Sequence, residues 1–387
     1  MVSNIDQNAD HVRRGGLSTV LTLVNDANQI SRAEITAATG FNRSTVARIV
    51  ARLVELALVI ESEPESTNRV GRPSPVVRVH PAPAVVAVNP EVDAITIGLV
   101  GLSATMLHST RVELDHLPTA RETAQIVAAT LRGWPANITE DRRILGVGLS
   151  VPGLVLADRQ VRWAPHLLWT DEPLAEFVTE ATALPAWVGN DASLGALAEW
   201  RHGAARAVQN MVYLNGGASG IGGGVVAEGR PLGGRRGYAG EFGQNRATAP
   251  GGIRLEDDVN RGKLLTALGL RAADELTLET LALASTNPAV TEELGRQRLV
   301  LSGALANAVN VLNPSTIVLG GFLGTLYASD PAGLEALVAA ECDPVIWEDT
   351  TIVRAALGAD VLLIGAAELA FRSLMADSSE LWNDEAN

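Results

Sequence analysis

The sequence predicts an α/β chain in which a winged helix-turn-helix precedes a larger alternating α/β unit, and three observations carry that expectation. Two short helical patterns flank a glycine within residues 31–53. A Gly-Arg-Pro turn and a valine-rich strand follow them. Beyond a proline-marked boundary near residue 83, apolar strands and helices alternate. With 387 residues, 47% hydrophobic and 19% charged, the chain has room for two or three domains and a globular composition.

The front elements follow from local signals. Leu17, Val20, Leu21 and Val24 recur at helical spacing, predicting an amphipathic helix over 10–27. Ser31-Arg32-Ala33-Glu34 is a capping box that starts a second helix, running to about Thr39 before Gly40 turns the chain. Asn42 caps a third helix with Val46, Ile49, Val50 and Leu53 on its apolar face. Arg43, Ser44, Thr45 and Arg48 stand near its start, where a recognition helix meets base edges in the major groove. Arginine can bond guanine twice, and Ser or Thr can reach phosphate or base. The same residues could equally line a solvated helix face. The helix is expected to end in the apolar run Leu56–Ile60. An acidic, Pro- and Ser-rich turn and a strand at Val76, Val77 and Val79 follow. Arg69 and Arg72, beside Gly71 and Pro73, would then form a wing tip suited to a narrow A·T-rich minor groove, or else a plain surface turn.

Charge separates the two ends. The net charge is −14, yet residues 1–80 hold nine Arg against eight acidic residues, while the remainder holds 21 basic and 36 acidic ones. The acid therefore lies away from any DNA-facing surface at the front. The single cysteine, Cys342, excludes an intrachain disulfide and a cysteine zinc cluster and fits a reducing cytoplasm. The N-terminus lacks the apolar segment of a secretory signal, and no apolar run is long enough to span a bilayer. The six His are scattered without metal-ligand spacing, so no metal site is expected.

Behind the boundary, Ile95–Val100 and Thr105–Val112 read as paired strands, Ala120–Leu131 as a helix and Ile144–Val151 as a buried strand ending in Pro152-Gly153. A short strand at Ala186–Val188 leads to Asn190-Asp191, which open a helix through Trp200. Met211–Leu214 and Val225-Val226 read as strands around a glycine loop, for which a tight β-turn is the better reading. A helix at Leu299–Val311, a strand at Thr316–Leu319 and a last helix at Ala366–Met375 complete the pattern.

In order and spacing, SRAEITAATGFNRSTVARIV, GRPSPVVRVHP, LSVPGLV, APHLLW, VGNDAS, SGIGGGVV, GYAGEFGQ, the Leu-Glu at 255–256 and VNVLNPSTIVLGG resemble the ROK family of sugar-responsive repressors and sugar kinases. The resemblance covers nearly the whole chain. It implies a two-lobed actin-like (ribonuclease-H-like) ATPase fold behind a winged helix, with a ligand cleft between lobes. The implied division is 1–82 for DNA binding, 83–189 plus 360–387 for lobe one, and 190–359 for lobe two and dimerisation.

Family kinases carry an Asp-x-Gly-x-Thr-type phosphate turn after the first strand of lobe one. Here Asn89, Glu91 and Asp93 stand at those positions, and Pro90 removes a backbone donor. Like charges ~4 Å apart cost roughly 4 kcal/mol at an effective dielectric of 20, with little in the sequence to offset repulsion of a triphosphate. ATP binding in the usual mode, and hence kinase activity, is not expected. The family's Cys-x-Cys zinc run is also absent, and Gln244 stands where a His ligand would be, so no cofactor is expected. Without zinc, that loop must be held by other contacts or stay mobile.

The resemblance implies ligand contacts from Asn190, Asp191, Glu241, Gln244 and Glu256, with Gly153 shaping the cleft. Asp191 aligns with the kinases' catalytic base, though a helix-capping role is equally open. Carboxylates and amides suit a polyhydroxylated ligand, because each hydroxyl both donates and accepts. His166 replaces the family's usual Asn and, with Gln244, argues against the usual hexose preference. Trp169 is the best candidate for a sugar platform. The implied partners are a palindromic double-stranded DNA operator, a carbohydrate effector and further copies of the chain in a dimer or tetramer.

Overall fold

The computed structural model describes residues 2–63, 74–156, 160–217, 219–246 and 252–376, with side chains from residue 15 onward. The expected wing-tip residues Arg69 and Arg72 lie outside the described residues.

The front unit consists of α1 (Val2–Ala27), β1 (Gln29–Ser31), α2 (Arg32–Thr39), α3 (Arg43–Glu55), β2 (Val59–Ser62) and β3 (Val76–Val79). Leu17, Val20, Leu21 and Val24 are buried along one face of α1, as the spacing predicts. The capping box is formed: Ser31 Oγ accepts from the Glu34 amide at 3.2 Å, and Glu34 Oε2 accepts from the Ser31 amide at 2.8 Å. Gly40 takes the left-handed conformation at φ +71°, and Asn42 Oδ1 accepts from the Thr45 amide at 2.8 Å.

One sequence expectation is corrected in this unit. The third helix stops at Glu55, and the run Leu56–Ile60 is not its end. Ala57 turns left-handed at φ 51°, the Leu58 amide bonds Leu53 O at 2.9 Å and the Ala57 amide bonds Val54 O at 2.9 Å. This is a Schellman closure built on alanine, without the glycine that usually signals one. The sheet also has a third strand, β1, in the order β1-β3-β2. Its three residues are too few for a sequence pattern to register.

The front unit does not hang from a long linker. The first strand of the next sheet begins at Pro83, so the boundary prolines Pro83 and Pro90 are the ends of that strand rather than part of a connector. One continuous apolar core joins Leu21 and Val24 of α1 to Leu363, Phe371 and Met375 near the C-terminus.

The larger part contains two five-stranded sheets. The first is built from β4 (Pro83–Pro90), β5 (Ala94–Gly101) and β6 (Thr105–Glu113), then α4 (Ala120–Gly133), α5 (Ala136–Thr139) and β7 (Arg143–Val151). A small antiparallel sheet of β8 (Leu154–Val155), β9 (Val161–Ala164) and β10 (Trp169–Glu172) intervenes before α6 (Leu174–Thr182) and β11 (Ala186–Asn190). The strand order is β11-β7-β4-β5-β6, with β4–β5–β6 antiparallel and β7 and β11 parallel to their neighbours.

The helix α7 (Asp191–Arg201) leads to the second sheet, whose first strands are β12 (Met211–Gly217), β13 (Gly220–Ala227) and β14 (Arg230–Pro231). Four helices follow: α8 (Leu255–Asp258), α9 (Arg261–Ala267), α10 (Glu275–Ala284) and α11 (Pro288–Leu312). Then come β15 (Thr316–Gly321), α12 (Phe322–Ser329), α13 (Pro331–Ala340), α14 (Pro344–Trp347) and β16 (Thr351–Arg354). The order is β14-β13-β12-β15-β16. The last helix, α15 (Val361–Ala376), returns to pack on β7 and β4 of the first sheet and on α7. Among the described residues, no helix is long and apolar enough to cross a membrane.

The glycine run holds a tight connection, as expected, but most of it is paired strand: β12 and β13 stay in register from Met211↔Val226 to Gly217↔Gly220. Its glycines admit a helix. A Cβ on Gly222 would come 2.5 Å from Ala192 Cβ, and one on Gly224 would collide with Ala196 Cβ, so only bare backbone lets α7 lie this close to β13. Gly224→Ala should therefore cost about 1–3 kcal/mol through overpacking. Urea unfolding should show a lower midpoint with an unchanged slope, and an unchanged midpoint would refute the packing account.

Candidate functional site

The site is assembled where β11 hands over to α7. Asn190 caps the helix: its Oδ1 accepts from the Ser193 amide at 2.9 Å. Its Nδ2 donates to Gly153 O and to Asp191 Oδ1, each at 3.0 Å, which ties the Pro152-Gly153 turn to the helix start. Gly153 is required there, since a Cβ would come 2.5 Å from Trp163 O. Asp191 Oδ1 also accepts from the Ala192 amide at 2.8 Å. Both of these donors meet the same oxygen, Oδ1. Capping belongs to Asn190.

Burial pushes the Asp191 carboxyl up to about 6, and the Glu241 charge adds to the rise, while the Ala192 amide and Asn190 pull the other way. Glu241 is likewise raised, first by desolvation and then by Glu256. The structure thus brings Gly153, Asn190, Asp191, Glu241 and Glu256 into one electrostatic neighbourhood.

Glu256 is clasped by backbone. A Cβ on Gly220 would come 2.6 Å from its Oε2, and one on Gly243 would come 2.9 Å from the same oxygen. Its Oε1 accepts from Gln244 Nε2 at 2.8 Å and lies 2.8 Å from Arg254 Nη1. Arg254 Nη1 also donates to Gln244 Oε1 at 3.3 Å. Gln244 is therefore engaged in holding Glu256, and this triad, with the Leu255 amide on Asn245 O at 2.7 Å, ties residues 244–245 to residues 254–256. Arg254 had no sequence signal beyond its place beside Leu255-Glu256.

Two further sequence candidates are His166 and Trp169. His166 is exposed on a short 3₁₀ turn, Pro165–Leu167, and forms no hydrogen bond to the cleft residues among those described. Trp169 is no sugar platform: it is buried, and its Nε1 donates to Pro118 O at 2.8 Å, so it belongs to the core.

The turn after β4 carries a compensation that was not foreseen. Arg111, from β6, pairs with Glu91 and lies 3.3 Å from Asp93 Oδ1. The Glu91 amide is spent on Ala94 O at 2.8 Å, and Asn89 Nδ2 donates to Glu91 Oε1 at 3.3 Å. The repulsion expected from two bare carboxylates is thus offset within the protein, and the Glu91 amide and the Asn89 side chain are already engaged.

On α3, Arg43, Ser44 and Arg48 are exposed, and Thr45 is half-buried. Ser44 Oγ donates to Asn42 Oδ1 at 2.7 Å. Arg43 and Arg48 have no acidic partner among the described residues, whereas Arg52 pairs with Glu55 at 3.0 Å on the same helix. Arg78 is exposed on β3, a candidate the sequence pattern did not single out.

The ROK family model matches residues 85–373. The xylose repressor of Bacillus spizizenii is 25% identical over 352 residues, covering 88% of this chain and 90% of that protein. The glucokinase of Halalkalibacterium halodurans is 30% identical over 203 residues, covering 46% and 61%. Among solved structures, a ROK family transcriptional regulator described as a homologue of E. coli MLC protein aligns with TM-score 0.77 at 21% identity, covering 96% of this chain and 99% of that one. A ROK family glucokinase from Streptomyces griseus, in complex with glucose and AMPPNP, aligns with TM-score 0.63 at 23% identity and covers 75% and 99%.

The raised Asp191 carboxyl has a stability consequence. Its folded value of about 6 lies above the ordinary 3.8, so as pH rises the unfolded chain releases this proton first. Stability falls between about pH 4 and 6 and stays lowered above that window. Asp191→Asn should remove this loss, making the variant about 1–3 kcal/mol more stable than the parent at pH 8, with the difference shrinking towards pH 3. Urea unfolding across that range checks it; a difference independent of pH would contradict the assignment.

Proposed function

The chain belongs to the ROK family, and we propose that within it this chain is a DNA-binding transcriptional repressor that takes a sugar or sugar derivative as effector. The observation that carries the reading is where the relatives stop. The regulator structure covers 96% of this chain, too much to leave out the front unit, and the repressor sequence covers 88%, whereas the glucokinase structure is almost fully covered by three quarters of it. What this chain has beyond a kinase is the three helices and small sheet of residues 2–79. We read that unit as a winged helix-turn-helix, with α3 entering the major groove through Arg43, Ser44, Thr45 and Arg48.

Effector binding is assigned to the cleft of Gly153, Asn190, Asp191, Glu241 and Glu256. Asp191 Oδ2 and Glu241 supply acceptors for sugar hydroxyls, and Gln244 and Arg254 fix the Glu256 carboxylate. The engaged turn at 89–93 supports a cleft that binds without phosphoryl transfer, because a nucleotide phosphate would have to displace Arg111 from two carboxylates. On this reading the protein works without metal or nucleotide cofactor, in the cytoplasm, as a homodimer on a palindromic operator.

Selection from a random duplex pool should yield a symmetric site with half-sites about 10 base pairs apart or a multiple of that. Arg43→Ala and Arg48→Ala should each weaken binding to the selected duplex by about 5–150-fold in a fluorescence anisotropy titration. Asp191→Ala should bind the duplex normally but show no melting-temperature rise with any sugar that stabilises the parent. Failure to select any duplex, or ATP consumption in the presence of xylose, glucose or N-acetylmannosamine, would overturn the reading.

A further inference from the structure

At the end of α7 remote from Asp191, a buried polar cluster binds three separate parts of the chain. His202 Nε2 lies 2.7 Å from Glu368 Oε1, and Asn25 Nδ2 donates to the same oxygen at 3.1 Å. The His202 and Glu368 side chains are 7% and 4% exposed. Beside them Arg201 Nη1 pairs with Asp26 Oδ2 at 2.6 Å, and Arg206 Nη2 donates to Asp26 O at 2.7 Å. Ser103, in the turn between β5 and β6, closes the clasp. Its amide donates to Asn25 Oδ1 and its hydroxyl to Asn25 O, both at 2.7 Å.

Nothing in the effector cleft or on the DNA-facing helix calls for this cluster. His202, Glu368 and Asn25 are buried while Asp26 and Arg201 are part-exposed, and although Asp26 Oδ1 and Arg201 Nε lack a hydrogen-bond partner among the described residues, breaking the remaining paired contacts is costly, so the contact favours this arrangement and penalises slippage. Burial raises the Glu368 carboxyl, but the hydrogen bond and charge of His202, with Arg201 and Asn25, outweigh it and hold it below the usual range.

We infer that Asn25, Asp26, Arg201, His202 and Glu368 form a coupling joint, in which α7 links the effector cleft at its first turn to the DNA-binding unit at its last. The helix is 11 residues long, so its ends lie about 16 Å apart at 1.5 Å per residue. It cannot flex freely, because Ala192 and Ala196 abut the glycines of β13 on one side and α15 packs on another. Glu199 anchors it further: its carboxylate accepts from the amides of Ala204, Ala356 and Leu357 at 2.7, 3.1 and 2.9 Å. A shift of the Asn190–Asp191 cap is therefore delivered to α1 as a movement of Arg201 and His202. The residues act by positioning, since none of them belongs to the cleft set or to α3. The inference rests on the preceding functional reading only for what the movement is for.

Hydrogen–deuterium exchange on the full chain, without DNA or sugar, tests the joint. Arg201→Gln removes the pair with Asp26, and Glu368→Gln keeps the side-chain shape while removing the charge beside His202. Each should accelerate exchange by about tenfold or more in peptides covering 16–28 and also in those covering 189–196 at the far end of α7. Arg354→Gln, which breaks the pair with Glu279 elsewhere in the chain, should change neither segment. Acceleration confined to residues 16–28, acceleration in neither segment, or the same response from Arg354→Gln would each overturn the inference. Because the readout uses neither DNA nor sugar, failure of the duplex selection would strike the functional reading and leave the joint standing.

Discussion

The close approach of α7 to β13 is the constraint on which the rest of the structure depends. It requires glycine at 222 and 224 and alanine at 192 and 196, and it places a helix N-terminus at the boundary between the two large sheets. Once the helix is fixed, Asn190 and Asp191 are fixed with it. Asn190 spends its side chain on the cap and on Gly153, and the carboxylate next to it is left partly desolvated. Packing thus creates the chemistry: the same contact that makes the helix rigid raises the acid at its start.

The turn at 89–93 satisfies much of its own charge and hydrogen bonding. A phosphate-binding turn works by leaving backbone amides unpaired and aimed at an anion. Here Pro90 lacks an amide, the Glu91 amide is bonded to Ala94 O, and the acidic side chains are neutralised by Arg111 from the neighbouring strand. The Gln244–Glu256–Arg254 triad likewise holds its carboxylate with hydrogen bonds and charge from within the protein.

Much of this was legible in the residues. Capping signals at Ser31 and Asn42 gave the helix starts because a cap is a local interaction between a side chain and amides two or three residues away. The sheet strands were legible because their burial produces continuous apolar runs, as in Ile144–Val151. The misses have a common cause. The alanine closure after α3, the glycines that admit α7, the burial of Trp169 and the pairing of Arg111 with Glu91 and Asp93 are set by partners distant in sequence. Glycine in a run reads as a turn until the helix that it faces is known. The site divides in the same way: Asn190 and Asp191 are marked by their position before a helix, while Arg254 and the engagement of Gln244 emerge only from the folded arrangement. His166, chosen by resemblance, lies on an exposed turn with no hydrogen bond to the cleft residues.

The central claim is that cleft and front unit form one thermodynamic system, and linkage makes it measurable from either side. The most direct measurement is the affinity of the most strongly stabilising sugar, determined by calorimetry for the free protein and again for the protein saturated with its selected duplex. The account predicts that the duplex changes sugar affinity by the same factor, about 5–150-fold, by which the sugar changes duplex affinity. Equal sugar affinities in the two states would contradict it.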